Sequence, residues 1–191
     1  MREVSSLVVA LVIAQTALGE PPADRGDRIR AALREDAASQ AWWFWGWAAG
    51  FGTASAVQLG LAGGLGLDSR LAPSAALGGA GASLALIGLA IGPLRPRGDG
   101  LDDLDSLELS ALEAQLRAQA KREAAATGWL PYVLAVSVAT AAGVTLWLHH
   151  DQPLEAGIAF GVDLLVGGTQ IWTAPTEALE LWEQLHPGVD P

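Results

Sequence analysis

Four long apolar segments constrain this chain more than any other feature. They run from Ala41 to about Leu67, from Leu71 to about Leu94, from Trp129 to Leu148, and from about Leu154 to Trp172. Each is nearly free of charge. Each reaches the roughly 20 residues that a helix needs to cross the hydrocarbon of a bilayer. Lipid offers no partner to an unpaired backbone N–H or C=O, so segments placed there are expected to be helices. The turns Asp68–Arg70 and His149–Pro153 close them into two hairpins, 41–94 and 128–174. A polar segment, 95–127, joins the hairpins, and a short tail, 175–191, follows. The fold expected is an all-α, multi-pass membrane bundle: four transmembrane helices in two tandem related hairpins, after an N-terminal signal peptide.

That signal is read in Met1–Gly19. Arg2 precedes an apolar run, Leu7–Ala14, and the small residues Ala17 and Gly19 precede the polar Glu20. The run is short for a span and fits a secretory signal cut after Gly19. The alternative is an uncleaved anchor, because Glu3 beside Arg2 weakens the positive end. A polar arm, 20–40, leads into the first span.

Composition agrees with a membrane setting. The chain is 51% hydrophobic and 17% charged, whereas soluble domains carry about 25% charged residues. There is no cysteine, hence no disulfide, thiolate nucleophile or Cys-based metal site. The net charge of −10 argues against a nucleic-acid partner. Ten of the eleven basic residues are Arg, and Asn is absent, a bias suited to a GC-rich bacterial source.

Aromatic residues crowd the span ends. Trp42, Trp43, Trp45 and Trp47 open the first span, Trp129 and Tyr132 open the third, and Trp172 closes the fourth. In a two-hairpin topology these lie on one side, with Trp147 on the other. Indole rings favour the headgroup zone, so the six tryptophans of the first side read as an interface belt against the lipid bilayer. Small residues recur at four-residue spacing in Gly46/Gly50, Gly60/Gly64, Gly88/Gly92 and Gly157/Gly161. Such pairs let helix backbones approach closely in lipid, and they suit a homo-oligomer as well. The stretch Gly78–Ser83 is not a nucleotide loop, since it follows no strand and lies inside a span.

The first and third spans look related. Arg34–Leu59 aligns without a gap on Lys121–Leu146, matching Trp42/Trp129, Thr53/Thr140, Val57/Val144 and Leu59/Leu146 among others. This reads as a tandem, parallel repeat of a helical hairpin. Orientation is set by two opposed rules. A cleaved signal places the arm, the central loop and the tail outside the cytoplasm. The Arg residues of those same segments argue for the inside, unless the neighbouring acids pair with them. The signal is favoured here.

Two extramembrane helices are expected, at 101–124 and 176–186. The first has Leu109, Leu112 and Leu116 on one face, acids early, bases late, and Ser110 with Glu113 as a capping box. The second stops at Pro187-Gly188. Both suit surface helices lying over the bundle end, and they are also the place for a protein partner, with Trp182 as anchor.

The candidate site is Asp163, near the middle of the fourth span, with Gln170 seven residues on along the same face. A carboxyl in that setting is costly and should face the bundle interior. Gln58, Thr53, Thr140 and Thr145 could supply hydrogen bonds from other spans. The functional alternative is a proton or cation site; the structural one is a neutral Asp in helix packing. His149 and His150, with His186 far off, lack metal-site spacing. Arg25–Asp27 and Arg97–Asp99 both read Arg-Gly-Asp, and each is expected to make a turn and cap before a helix. No cofactor site and no catalytic set is read. The leading expectation is a non-enzymatic structural or accessory protein of a bacterial inner membrane. The alternative is a small oligomeric transporter or channel with Asp163 in the permeation path.

Overall fold

A computed structural model describes residues 22–66, 69–96 and 103–191. Met1–Gly19, read as a signal, lies outside the described residues, as does Arg97–Asp99. Everything regular among the described residues is helical: α1 Pro22–Leu65, α2 Ala72–Ile91, α3 Leu109–Thr127, α4 Trp129–His150, α5 Pro153–Trp172 and α6 Glu177–Leu185.

The arm and the first apolar segment, expected as separate units, form one helix of 44 residues. The joint offers no reason to stop: Arg, Ala, Leu, Glu and Gln make up all of 30–41 but Asp36 and Ser39, and there is no Pro or Gly. At about 1.5 Å per residue α1 is about 66 Å long, roughly twice the hydrocarbon thickness of a bilayer. Arg25-Gly26-Asp27 is therefore helical rather than a turn. The matching joint between α3 and α4 does break. Gly128 takes an extended backbone there, and Pro131 sits in the first turn of α4, where its missing N–H costs nothing. α3 starts at Leu109 with Glu108 as its N-cap and no side-chain capping bond. Ser110 is thus already inside the first turn, and the Ser110/Glu113 capping box does not form.

Three helices are long and apolar enough to cross a membrane: Ala72–Ile91, the run Leu109–His150 and Pro153–Trp172. The apolar half of α1, expected as the first span, is not among them. Gly, Ser, Thr and Gln58 dilute its hydropathy. Apolar side chains on the three point outward, with Ile91 80%, Leu148 75% and Leu165 72% exposed. Water tolerates no apolar surface of that extent on a monomer; lipid does.

The helices pair as two antiparallel hairpins, α1 with α2 and α4 with α5, and α2 then lies against α4. Glycine permits the close approaches, but not at the pairs expected. A Cβ on Gly79 would lie 2.7 Å from Leu59 Cγ, one on Gly78 would overlap Gln58 Oε1, and one on Gly167 would meet Ala135 Cβ at 2.9 Å. Gly46, Gly50, Gly60, Gly64, Gly88, Gly157 and Gly161 face open space instead, and a Cβ on Gly92 would meet only its own helix. The spacing was right for a helix face, but that face is turned away from the bundle.

At one end of the hairpins, the first half of α1, α3 and α6 enclose a core of their own: Ile29, Leu33, Leu104, Leu112, Leu116, Ala120, Ala178, Leu181 and Trp182. Polar ties stitch its rim. Arg25 pairs with Glu113 at 2.8 Å and Arg34 with Asp105 at 2.6 Å. Arg30 donates to the carbonyls of Leu104 and Leu107 at 3.0 and 3.1 Å. The polar segments thus fold into an end domain built on α1, and not into loose surface helices.

Candidate functional site

Asp163 lies midway along α5. The contacts of Gly143 with Phe160 and of Gly167 with Ala135 place residue 163 on the face toward α4, near the level of Ala139. The side chain is half-buried, and its carboxyl makes no hydrogen bond or ion pair among the described residues. Residues proposed to reach it do not. Thr145 donates back to the Ala141 carbonyl at 2.8 Å. Gln58 belongs to the other hairpin and presses on Gly78 of α2, with its Oε1 buried and without a donor. Gln170 does share the helix, but its backbone carbonyl is what binds, accepting from Trp43 Nε1 at 3.2 Å. Among the described residues no hydrogen bond joins the side chains of Asp163, Gln170 and Gln58.

The tryptophans divide in two. Trp42, Trp45, Trp129 and Trp172 are 82%, 66%, 74% and 82% exposed, all near the junction with the end domain. Trp43 and Trp47 turn inward. Trp47 Nε1 donates to Thr173 Oγ1 at 3.3 Å and its ring stacks on Phe51. With the Trp43 bond, these two rings tie the first hairpin to the end of α5. At the opposite end Gln152 Nε2 donates to the Arg70 carbonyl at 2.6 Å, joining the two hairpin turns. Spacing alone could not separate the two groups of rings, since all four tryptophans of 42–47 sit within two helical turns.

Trp182, read as a partner anchor, is buried at 5% exposure. Its Nε1 donates to the Val189 carbonyl at 2.9 Å, His186 stacks on it with centroids 3.9 Å apart, and Arg117 lies over the ring. His149 and His150 pack edge to face in the far turn. Among the described residues no group of three or more His, Asp and Glu side chains could hold a metal ion.

The densest polar chemistry lies where sequence reasoning placed none. Asp36 of α1 and Glu123 of α3 are 2% and 0% exposed, at the membrane-proximal edge of the end domain. Each lies six positions before a tryptophan, Trp42 or Trp129. Gln40 Nε2 donates to both Asp36 oxygens at 3.2 Å. The Leu179 backbone N–H donates to Glu123 Oε2 at 2.7 Å. Ser39 donates to Glu177 Oε1 at 2.8 Å. The carboxyl of Asp36 faces that of Glu123. Loss of solvent is the largest influence on Asp36, followed by the Glu123 hydrogen bond and charge and by the Glu177 charge. Together they push Asp36 up to about 9, against the opposing charge of Arg122. Burial also raises Glu123, while Asp36, the Leu179 N–H and the nearby Gln119 amide pull it back.

One signal could have found this pair. The ungapped alignment that sets Trp42 on Trp129 also sets Asp36 on Glu123. No protein-family model, curated protein or solved structure matches this chain.

Proposed function

We propose that the chain is a non-enzymatic structural or accessory protein of a bacterial inner membrane, which holds a folded helical domain at the bilayer surface. The observation that carries this reading is the end domain itself. Its own buried core is fixed to the membrane part by the unbroken helix α1. A rigid rod across that boundary sets the height and orientation of whatever the domain presents. The outward acids, including Asp105 and Glu180, give it a negative surface suited to a protein partner, whereas Trp182 serves the core.

In this proposal four helices cross the membrane, the apolar half of α1 included, and the two hairpins are tandem repeats. Supporting the repeat, buried residues of α1 and α3 match at an offset of 87. At the same offset Ile29 matches Leu116, Leu33 matches Ala120, and Asp36 matches Glu123, all of them buried. The signal at 1–19 and the pairing of Arg25, Arg30 and Arg34 with acids favour the end domain on the periplasmic side.

A second reading, a small oligomeric transporter or channel, is favoured by the partnerless carboxyl of Asp163 on the α4 side of α5. Reconstitution into liposomes separates the two. The accessory reading expects no proton or cation flux, and a folded, unchanged Asp163→Asn variant. A flux in the wild type that disappears in Asp163→Asn would replace it with the transport reading.

A further inference from the structure

The donors around Asp36 and Glu123 do not balance unless a proton is added. Glu123 Oε2 has the Leu179 N–H, but Glu123 Oε1 is buried and, among the described residues, receives no N–H or O–H. Gln119, 4% exposed, turns its amide toward Glu123, with Nε2 in no bond of good geometry. A carboxylate oxygen buried from solvent without a donor is costly. Two ionised carboxylates side by side would add repulsion. A proton on Asp36 removes both penalties, because it supplies the missing donor and removes one charge. The charged groups facing Asp36 are Glu123 and Arg122 from α3 and Glu177 from α6, with Gln40 on its own helix.

We infer that Asp36 and Glu123 form a proton-binding site that clamps α1 to α3 and α6 at the membrane surface, so that the end domain is closed while one proton is held and loosens when it leaves. The two groups occupy matching places in the two long helices, so the clamp sits where the halves of the chain meet. The inference rests on the end domain's geometry and not on the accessory role. Its failure leaves that role untouched, and a transport activity would not remove the clamp.

The sign of the pH effect follows from which state holds the proton. Below the ordinary carboxylate range, both the closed and the open domain carry it. From there up to about 9, only the closed domain does. Opening therefore becomes easier as pH rises, by about tenfold per pH unit for one proton, and levels off above about 9.

The test uses the full, cysteine-free chain in detergent micelles. Leu116→Cys places one thiol in the end-domain core, reachable by a thiol reagent only on opening. Gly188→Cys on the exposed tail gives the reference rate. The ratio of the two rates should rise about tenfold per unit between pH 6 and 8. In Asp36→Asn the amide donates to Glu123 without titrating, so the ratio should stay nearly flat. The same pH dependence with and without Asp36→Asn would overturn the inference. If Asp36→Asn does not fold, infrared spectra of Asp163→Asn decide, with the membrane carboxyl removed. A protonated-carboxyl band present at pH 7 and lost near 9 supports the clamp, and its absence at pH 7 overturns it.

Discussion

Leu116 and Leu165 carry the same side chain into opposite surroundings, and truncating each to Ala tests the division of the molecule. Leu116 is fully buried among Ile29, Leu112 and Trp182 in the end domain. Removing its three outer carbons gives up about 2 kcal/mol of transfer free energy, and the cavity left behind brings the loss to about 3 kcal/mol. That corresponds to a factor of roughly 100 in the closed-to-open equilibrium. Leu165 is 72% exposed on α5 and meets lipid or detergent chains. Its truncation leaves no cavity, because acyl chains fill the space, and should cost under about 0.5 kcal/mol. Urea unfolding in mild detergent, followed by circular dichroism and by the Leu116-side opening of the domain, reads both. Leu116→Ala should lower the midpoint of the end-domain transition while the membrane helices persist. Equal losses from the two variants, or none from Leu116→Ala, would refute the reasoning that one core excludes water and the other surface meets lipid.

Two further outcomes follow from the junctions. Trp43→Phe should weaken the tie to Gln170 by about 1 kcal/mol, the net worth of one such hydrogen bond, and Trp42→Phe should leave the melting temperature unchanged. Thermal melts in detergent compare the two. Gly79→Val should force α1 and α2 apart, since even a Cβ would lie 3.1 Å from the Leu59 backbone N. Overpacking of that kind costs about 1–3 kcal/mol, read as loss of disulfide formation between cysteines placed at Ser55 and Ser83, whose hydroxyls lie 2.6 Å apart.

How much of this was legible in the sequence varied with the kind of force involved. Apolar length is a local property, so the segments around Ala72–Ile91, Trp129–His150 and Pro153–Trp172 could be read directly. The Pro and Gly of the turns set their ends. The continuity of α1 was hidden because the change from charged to apolar residues at Ala41 alters the side chains alone, and helix hydrogen bonds run through it unaltered. The inward glycines Gly78, Gly79 and Gly167 escaped the four-residue rule, since which face meets a neighbour depends on the partner helix. Asp163 drew attention by its setting in an apolar run. Asp36 and Glu123 did not, because among Arg, Glu and Asp neighbours a carboxyl reads as solvated. Their burial comes from α6 folding back over them, a contact between residues more than fifty positions apart, as in the Leu179–Glu123 bond.

The central claim is a chain divided between bilayer and a domain on one side, and topology tests it most directly. Single cysteines at Ser106, Asp151 and Gly188 in the cysteine-free chain can be labelled on intact cells with a membrane-impermeant thiol reagent. Ser106 and Gly188 belong to the end-domain side, and Asp151 to the opposite turn. The account predicts labelling at Ser106 and Gly188 with Asp151 protected until the cells are lysed. Labelling at Asp151 alone would reverse the orientation, and labelling that splits Ser106 from Gly188 would contradict the two-hairpin arrangement itself.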